Sequence, residues 1–125
     1  MIENDISFKI RGAIFKVFNA LGPGLLESVY EIALAHVLTE MGLDVKRQVD
    51  LPVIFEGIKL DGGFRIDLLV NDLVIIEIKS VENLKSVHHK QLTTYLKLSN
   101  LKLGILVNFN TVNILDSIFR KVNGL

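Results

Sequence analysis

An α/β (α+β) fold, a mixed central β-sheet flanked by helices, is what this sequence predicts, on three observations. Helical stretches open the chain, short β-type runs fill its middle, and one further helix precedes two last strands, giving the order α-α-β-β-β-β-α-β-β. Two of the middle runs, Phe64 to Val70 and Leu73 to Lys79, are apolar on both faces, as central strands covered on both sides are. The segment from Leu73 through the next helix to Leu106 has the form of a strand-helix-strand crossover, which puts two parallel strands in the sheet. With 125 residues, half of them hydrophobic, residues 1–125 are expected to form a single domain around one core.

The elements follow in order. From Asp5 to Ala20, Phe8, Arg11/Gly12, Phe15 and Phe18/Asn19 recur at helical spacing with Ile14 and Val17 filling the stripe, and Gly22-Pro23-Gly24 stops the helix. The three phenylalanines are expected in the core; the alternative is that their stripe, with the final strand, forms an oligomer surface. A second helix runs from Leu25 to Glu40, and Gly42 closes it. Strands are expected at Val45 to Leu51, Val53 to Phe55, Phe64 to Val70 and Leu73 to Lys79, punctuated by Gly57, Gly62-Gly63 and Asn71-Asp72. Helical periodicity returns from Leu84 to Leu98. Lys102 to Asn108 and Thr111 to Leu115 read as the last strands, and the polar end RKVNGL as frayed.

Composition narrows the classes. Without cysteine there is neither a disulfide framework nor a thiolate metal site. No run approaches the roughly 20 apolar residues that span a bilayer, so no membrane partner is expected. The opening residues lack the basic and then apolar stretches of a secretory signal, and a cytoplasmic location is the expectation. The 14 basic and 14 acidic residues balance, so the basic excess of a dedicated nucleic-acid-binding module is missing. That leaves room for an enzyme that engages a few phosphates beside a metal ion.

The chemistry concentrates in GFRIDLLVNDLVIIEIKS, where Asp67, Glu77 and Lys79 interrupt oily strands. Charges in such strands are costly unless paired or bound to metal. Two carboxylates can hold Mg²⁺ or Mn²⁺ through oxygen and leave positions for water and a phosphate. Lys79, two residues from Glu77 and so on the same strand face, can stabilise developing negative charge. The alternative is a structural ion pair of Lys79 with either acid. A plain two-residue turn at Asn71-Asp72 would pair Val70 with Leu73 and turn Asp67 and Glu77 to opposite faces. Sharing a metal therefore requires an odd-length loop or a bulge, expected between Asp67 and Val74.

Two helices supply further candidates. Leu84, His88, Gln91, Tyr95 and Leu98 share one stripe, polar in its middle, from which Gln91 and Tyr95 can contact a phosphate or the attacking water and His88 a metal or phosphate. The bland reading is a half-buried face bonded to backbone, and it suits Tyr95 best. Glu27 either favours the positive start of its helix or points into the pocket of Glu77.

At these residues a resemblance appears. GPGLLESVYE contains G-x-x-E-x-x-Y at Gly24, Glu27 and Tyr30. Together with GFRIDLLV, VIIEIKS and VHHKQLTTYLKLSNLKLGILVNF it resembles the bacterial and archaeal proteins named after that motif, grouped with the PD-(D/E)xK nuclease-like superfamily. The similarity covers nearly the whole chain. It implies a restriction-endonuclease-like αβββαβ core and a Mg²⁺- or Mn²⁺-dependent nuclease of a prokaryote. It implies that Asp67, Glu77 and Lys79 match the catalytic signature and Glu27 its helical acid, with Asp67, Glu77 and Glu27 as metal ligands. Gln91 and Tyr95 resemble the Q-x-x-x-Y element of RecB-type exonucleases. The proline that precedes the aspartate in the superfamily is Ile66 here. The partner implied is nucleic acid, DNA before RNA, with a homo-oligomer or a larger repair or defence assembly as the setting. The competing reading is a non-catalytic nucleic-acid- or protein-binding module that keeps the fold.

Overall fold

The computed structural model describes residues 2–60 and 65–125. The chain runs α1 (Ile2–Leu21), α2 (Glu27–Glu40), β1 (Val45–Asp50), β2 (Val53–Phe55), β3 (Ile58–Leu60), β4 (Arg65–Val70), β5 (Val74–Lys79), α3 (Ser86–Ser99), β6 (Leu103–Asn108), a 3₁₀ turn (Ile114–Ser117) and β7 (Ile118–Val122). Five strands form one sheet in the order β1-β4-β5-β6-β7, and β2 with β3 forms a separate hairpin. β5 and β6 are parallel, joined by the crossover through α3, while every other neighbouring pair is antiparallel. This is the mixed sheet the sequence predicts.

Apolar side chains on both sheet faces decide where the helices sit. Ile10 and Ile14 of α1 and Tyr30 and Leu34 of α2 pack on Leu68, Val70, Val74, Ile76 and Ile78. On the opposite face Leu92, Tyr95 and Leu96 of α3 pack on Ile66, Ile75 and Leu106. α3 approaches β6 closely because position 104 is glycine: a Cβ there would lie 2.7 Å from Leu92 Cδ1.

Five points of the sequence reading need correction or placement. The last strand is not Thr111 to Leu115. The Asn113 side chain accepts from the Leu115 N–H at 3.2 Å, starting a 3₁₀ turn, and the strand begins only at Ile118. The end is not frayed either: Arg120 to Val122 pair with β6, and the Asn123 amide donates to the carbonyls of Leu96 and Leu101. Phe8 is 79 % exposed rather than in the core, while Phe15 and Phe18 pack partly against it. Ile58–Leu60 is an extra strand, folded back by Glu56 and Gly57, both at positive φ. The expected punctuation at Gly62-Gly63 and strand start at Phe64 lie outside the described residues.

Candidate active site

The turn between β4 and β5 sets the site. Asn71 and Asp72 have φ of 52° and 54°, and the Leu73 N–H donates to the Val70 carbonyl at 3.0 Å, which makes a tight two-residue turn. The strands nevertheless pair Val70 with Val74, Leu69 with Ile75 and Leu68 with Ile76. Leu73 is thus an extra residue that the ladder skips. This is the one-residue offset needed to bring Asp67 level with Glu77.

At that level the ladder between the two strands stops, and side chains replace it. Asp67 Oδ2 accepts from the Ile78 N–H at 2.7 Å, and Glu77 Oε1 accepts from the Asp67 N–H at 3.3 Å. β5 meanwhile continues its pairing with β6 as far as Lys79 and Asn108, and β4 pairs with β1 as far as Arg65 and Asp50. The two central strands therefore part like a fork, with both carboxyl groups in its mouth and in contact with each other. Glu77 is buried. Burial, and next the negative charge of Asp67, push its carboxyl up to about 9. Burial also raises Asp67, against the Ile78 hydrogen bond, while the positive charge of Lys79 favours the ionised form of both acids.

A backbone kink opposite Asp67 shapes the same fork. β1 pairs Arg47 with Leu68 and Val49 with Ile66, which leaves Gln48 level with Asp67. Gln48 has φ of 52°, the left-handed region, which is uncommon for a residue with a side chain inside a strand. The faces swap there. Val45 packs with the α1/α2 core but Val49 with the α3 core, and likewise Leu68 with the first and Ile66 with the second. On an unbroken strand residues two apart share a face. β5 keeps its alternation, so Glu77 and Lys79 lie on the α3 side with Ile75.

Three residues that sequence reasoning missed complete this corner. Glu31 is buried and accepts from Arg47 Nε at 3.0 Å and Nη2 at 2.9 Å, and from the Gln48 amide. A cleft of about 320 Å³ is lined by Glu27, Ser28, Glu31, Arg47, Gln48 and Asp67. One signal was available: Glu31 follows Glu27 by four residues and so shares its helix face. Arg47 and Gln48 carried none, because they come into play only when β1 pairs beside β4.

The G-x-x-E-x-x-Y segment acquires a local explanation. Gly22 and Gly24 have φ of 69° and 97°, a backbone that a Cβ would strain. The Tyr30 hydroxyl donates to the Gly22 carbonyl and accepts from the Leu25 N–H at 3.1 Å, and its ring stacks on Phe109 with centroids 4.3 Å apart. That holds the start of α2 against the sheet. There Glu27 Oε2 accepts from the Ser80 N–H at 3.1 Å, and Ser80 Oγ donates to the Leu25 carbonyl at 2.6 Å. Asn108 secures the next residue: its amide accepts from the Val81 N–H at 3.0 Å and donates to the Val81 carbonyl at 2.9 Å.

Of the three α3 candidates, Tyr95 reaches the fork. It is buried, bonded to the Arg65 backbone, and its hydroxyl is pushed up by burial first and then by the charges of Glu77 and Asp67. Gln91 is exposed. His88 Nδ1 accepts from the Lys85 N–H at 3.1 Å, closing the start of α3, and its ring lines a different hollow with Val81, Glu82, Asn83 and Lys85. Among the described residues no three His, Asp or Glu side chains converge tightly enough to hold a metal. Glu27 shares the cleft with Asp67 without closing a triad.

One oxygen of each carboxylate is taken by the other strand's N–H, and the two carboxyl groups lie within hydrogen-bonding reach of each other. Their oxygens are the donor type a hard cation takes.

Residues 4–121 match the family model described as the PD-(D/E)XK nuclease superfamily, and the chain belongs to that superfamily. Its α+β architecture is consistent with the restriction-endonuclease-like fold. No curated protein and no solved structure matches the chain.

Proposed function

We propose that this member of the PD-(D/E)XK nuclease superfamily is a Mg²⁺- or Mn²⁺-dependent nuclease that hydrolyses phosphodiester bonds of nucleic acid, DNA before RNA, at the Asp67–Glu77 fork. One observation carries the reading: a buried and a half-buried carboxyl, Glu77 and Asp67, face each other across parted strands, each held by the opposite strand's N–H. Burial raises the cost of ionising both acids, and the charge of Asp67 raises it further for Glu77; a bound cation offsets that cost. A metal held there supplies Lewis-acid polarisation of the phosphodiester and a more acidic water.

The chain's own residues do the rest. Asp67 and Glu77 hold the cation, oriented by Ile78 N–H and Asp67 N–H. Lys79, on the Glu77 face, stabilises negative charge as it develops on the phosphate. Glu27 adds charge at the mouth of the cleft, where Gly24 and Tyr30 place it, and this arrangement supports grouping the chain with the GxxExxY proteins. Tyr95 closes the α3 side of the fork, with Gln91 and His88 as outer contacts to substrate.

Calorimetric titration with Mn²⁺ and Mg²⁺, followed by a cleavage screen over single-stranded, duplex and branched DNA and RNA, tests the proposal. The expected result is metal binding lost in Asp67→Asn and cleavage lost in Asp67→Asn and Lys79→Ala, both proteins remaining folded. Metal binding unchanged by Asp67→Asn would refute it. The lack of a third converging acid among the described residues favours a second reading, a non-catalytic binding module of the same fold. That reading gains if no metal binds.

A further inference from the structure

The zero net charge of the chain conceals a strong segregation. Only one of the 14 acidic residues, Asp116, lies beyond Glu82, against six of the 14 lysines and arginines. Five of the six surround the outer side of one helix. α3 contains no acid at all; Lys90 and Lys97 are exposed and two turns apart on it, Lys85 precedes its first turn, and Lys102 follows its end. Lys121 joins them from β7. The Phe119 ring fixes it there, with Lys121 Nζ 6.0 Å from the ring centroid and the His89 ring of α3 edge-on at 4.8 Å. Burial first, then the charges of Lys121 and His88, hold the His89 imidazole below its ordinary range. The sixth, Arg120, points to the opposite face, where it donates to Asn4.

The side of the sheet under α1 and α2 carries the acids of the cleft, Glu27, Glu31 and Asp67. A polyanion is therefore attracted to the outer side of α3. The basic side also adjoins the fork. α3 begins shortly after β5 ends, and Asn108 pins the connection at Val81. Tyr95, on the inner side of the same helix, feels the charges of Glu77 and Asp67.

We infer that the outer face of α3, with Lys85, Lys90, Lys97, Lys102 and Lys121, is a phosphate track along which a nucleic-acid strand runs toward the Asp67–Glu77 fork. The inference rests on the nuclease reading for the identity of the polyanion, and it adds where the strand lies. Contacts of this kind are made to phosphates rather than bases, so they confer affinity and direction without sequence preference. Lys16, on the exposed side of α1, lies outside the track.

Fluorescence anisotropy of labelled single-stranded and duplex DNA and RNA, in EDTA over a salt series, tests the track. Lys90→Glu with Lys97→Glu replaces one helix-favouring residue by another, so folding is expected to survive, with circular dichroism as the check. Loss of two phosphate contacts should weaken binding about tenfold or more and lower the slope of log affinity against log salt by about 2 on duplex. Lys16→Glu should leave both unchanged. Equal losses in Lys16→Glu and the double variant, or none in the double variant, would overturn the track, as would wild type binding none of the oligonucleotides. Lysine-dependent binding to phosphatidylserine vesicles without oligonucleotide binding would overturn it in favour of a membrane surface. If wild type cleaves nothing with either metal yet shows the lysine-dependent slope, the nuclease reading falls and the track stands.

Discussion

The two ends of the β4–β5 hairpin obey different rules. Toward the turn, Leu68, Leu69 and Val70 face Ile76, Ile75 and Val74 in a regular ladder, and all but Leu69 of these are fully buried. Toward the open end, one residue further on, the ladder gives way to Asp67 and Glu77, whose side chains occupy the N–H groups that strand pairing would have used. The hydrophobic end makes the register costly to slip, since a slip of one residue would send its apolar set to the wrong face. That rigidity is what allows two carboxyls that burial makes costly to ionise and a left-handed Gln48 to persist alongside. Stability and reactivity are divided along a single hairpin.

The sharpest way to break this division is at its open end. Asp67→Asn keeps shape and one acceptor oxygen, and should lower metal-dependent cleavage by about 100- to 1000-fold with little change in melting temperature. A turnover assay beside a thermal melt checks both halves of the statement. At the ladder end the outcome should be inverted. Ile76→Ala removes a fully buried side chain and should destabilise the fold by about 3 kcal/mol, measured by urea unfolding, with residual cleavage by the folded fraction.

Gln48 tests how the fork is shaped. Gln48→Val forces a β-branched residue into φ of 52° and should cost about 2 kcal/mol; it should also speed amide exchange at Ile78, whose N–H bonds to Asp67. Gln48→Gly accepts that φ and should leave Ile78 protected. Equal exchange in the two variants would show that the amide side chain, not the kink, holds the corner.

Glu77→Gln probes the stored cost. The folded carboxyl stands at about 9 against an ordinary 4.5, so its contribution to stability is full below 4.5 and is lost as pH rises toward 9. Without metal the variant should therefore gain on wild type across that window, by about 3 kcal/mol near pH 7, while saturating Mn²⁺ restores the advantage of wild type. Denaturant melts at three pH values, with and without Mn²⁺, measure it. The smallest effect is expected from deleting Leu73. The Asn71-Asp72 turn would then join Val70 directly to Val74 and keep Asp67 level with Glu77. Cleavage should stay within about threefold, and its complete loss would show that the skipped residue does more than set register.

Much of the topology was legible because it depends on local pattern. The doubly apolar strands and the crossover follow from alternation and chain length, whereas the offset between Asp67 and Glu77 was expected only on the premise that the two share a metal. What escaped depends on who lies beside whom. The Glu31–Arg47–Gln48 corner exists only because β1 is laid against β4, and no residue type announces a left-handed glutamine. β7 was displaced because Asn113 caps a 3₁₀ turn within a run that looks like strand. Phe8 fits a helical stripe, yet it projects outward because the stripe that meets the core is Ile6, Ile10, Ala13, Ile14 and Val17, on the other side of α1. The balanced charge hid the basic face of α3, since a sum over the chain discards position.

Gly104 sits on a strand that carries no acid, on the face away from the cleft, and would pass as filler. Its missing side chain is nevertheless a dimension of the fork. Leu92 occupies the space a methyl group would fill, and Tyr95 lies one turn further along the same helix. Any thickening of β6 at that point would lift α3 like a shim under a beam, and Tyr95 would rise from Glu77 with it. The clearance of the fork is therefore gauged at a residue that touches neither of its carboxyls.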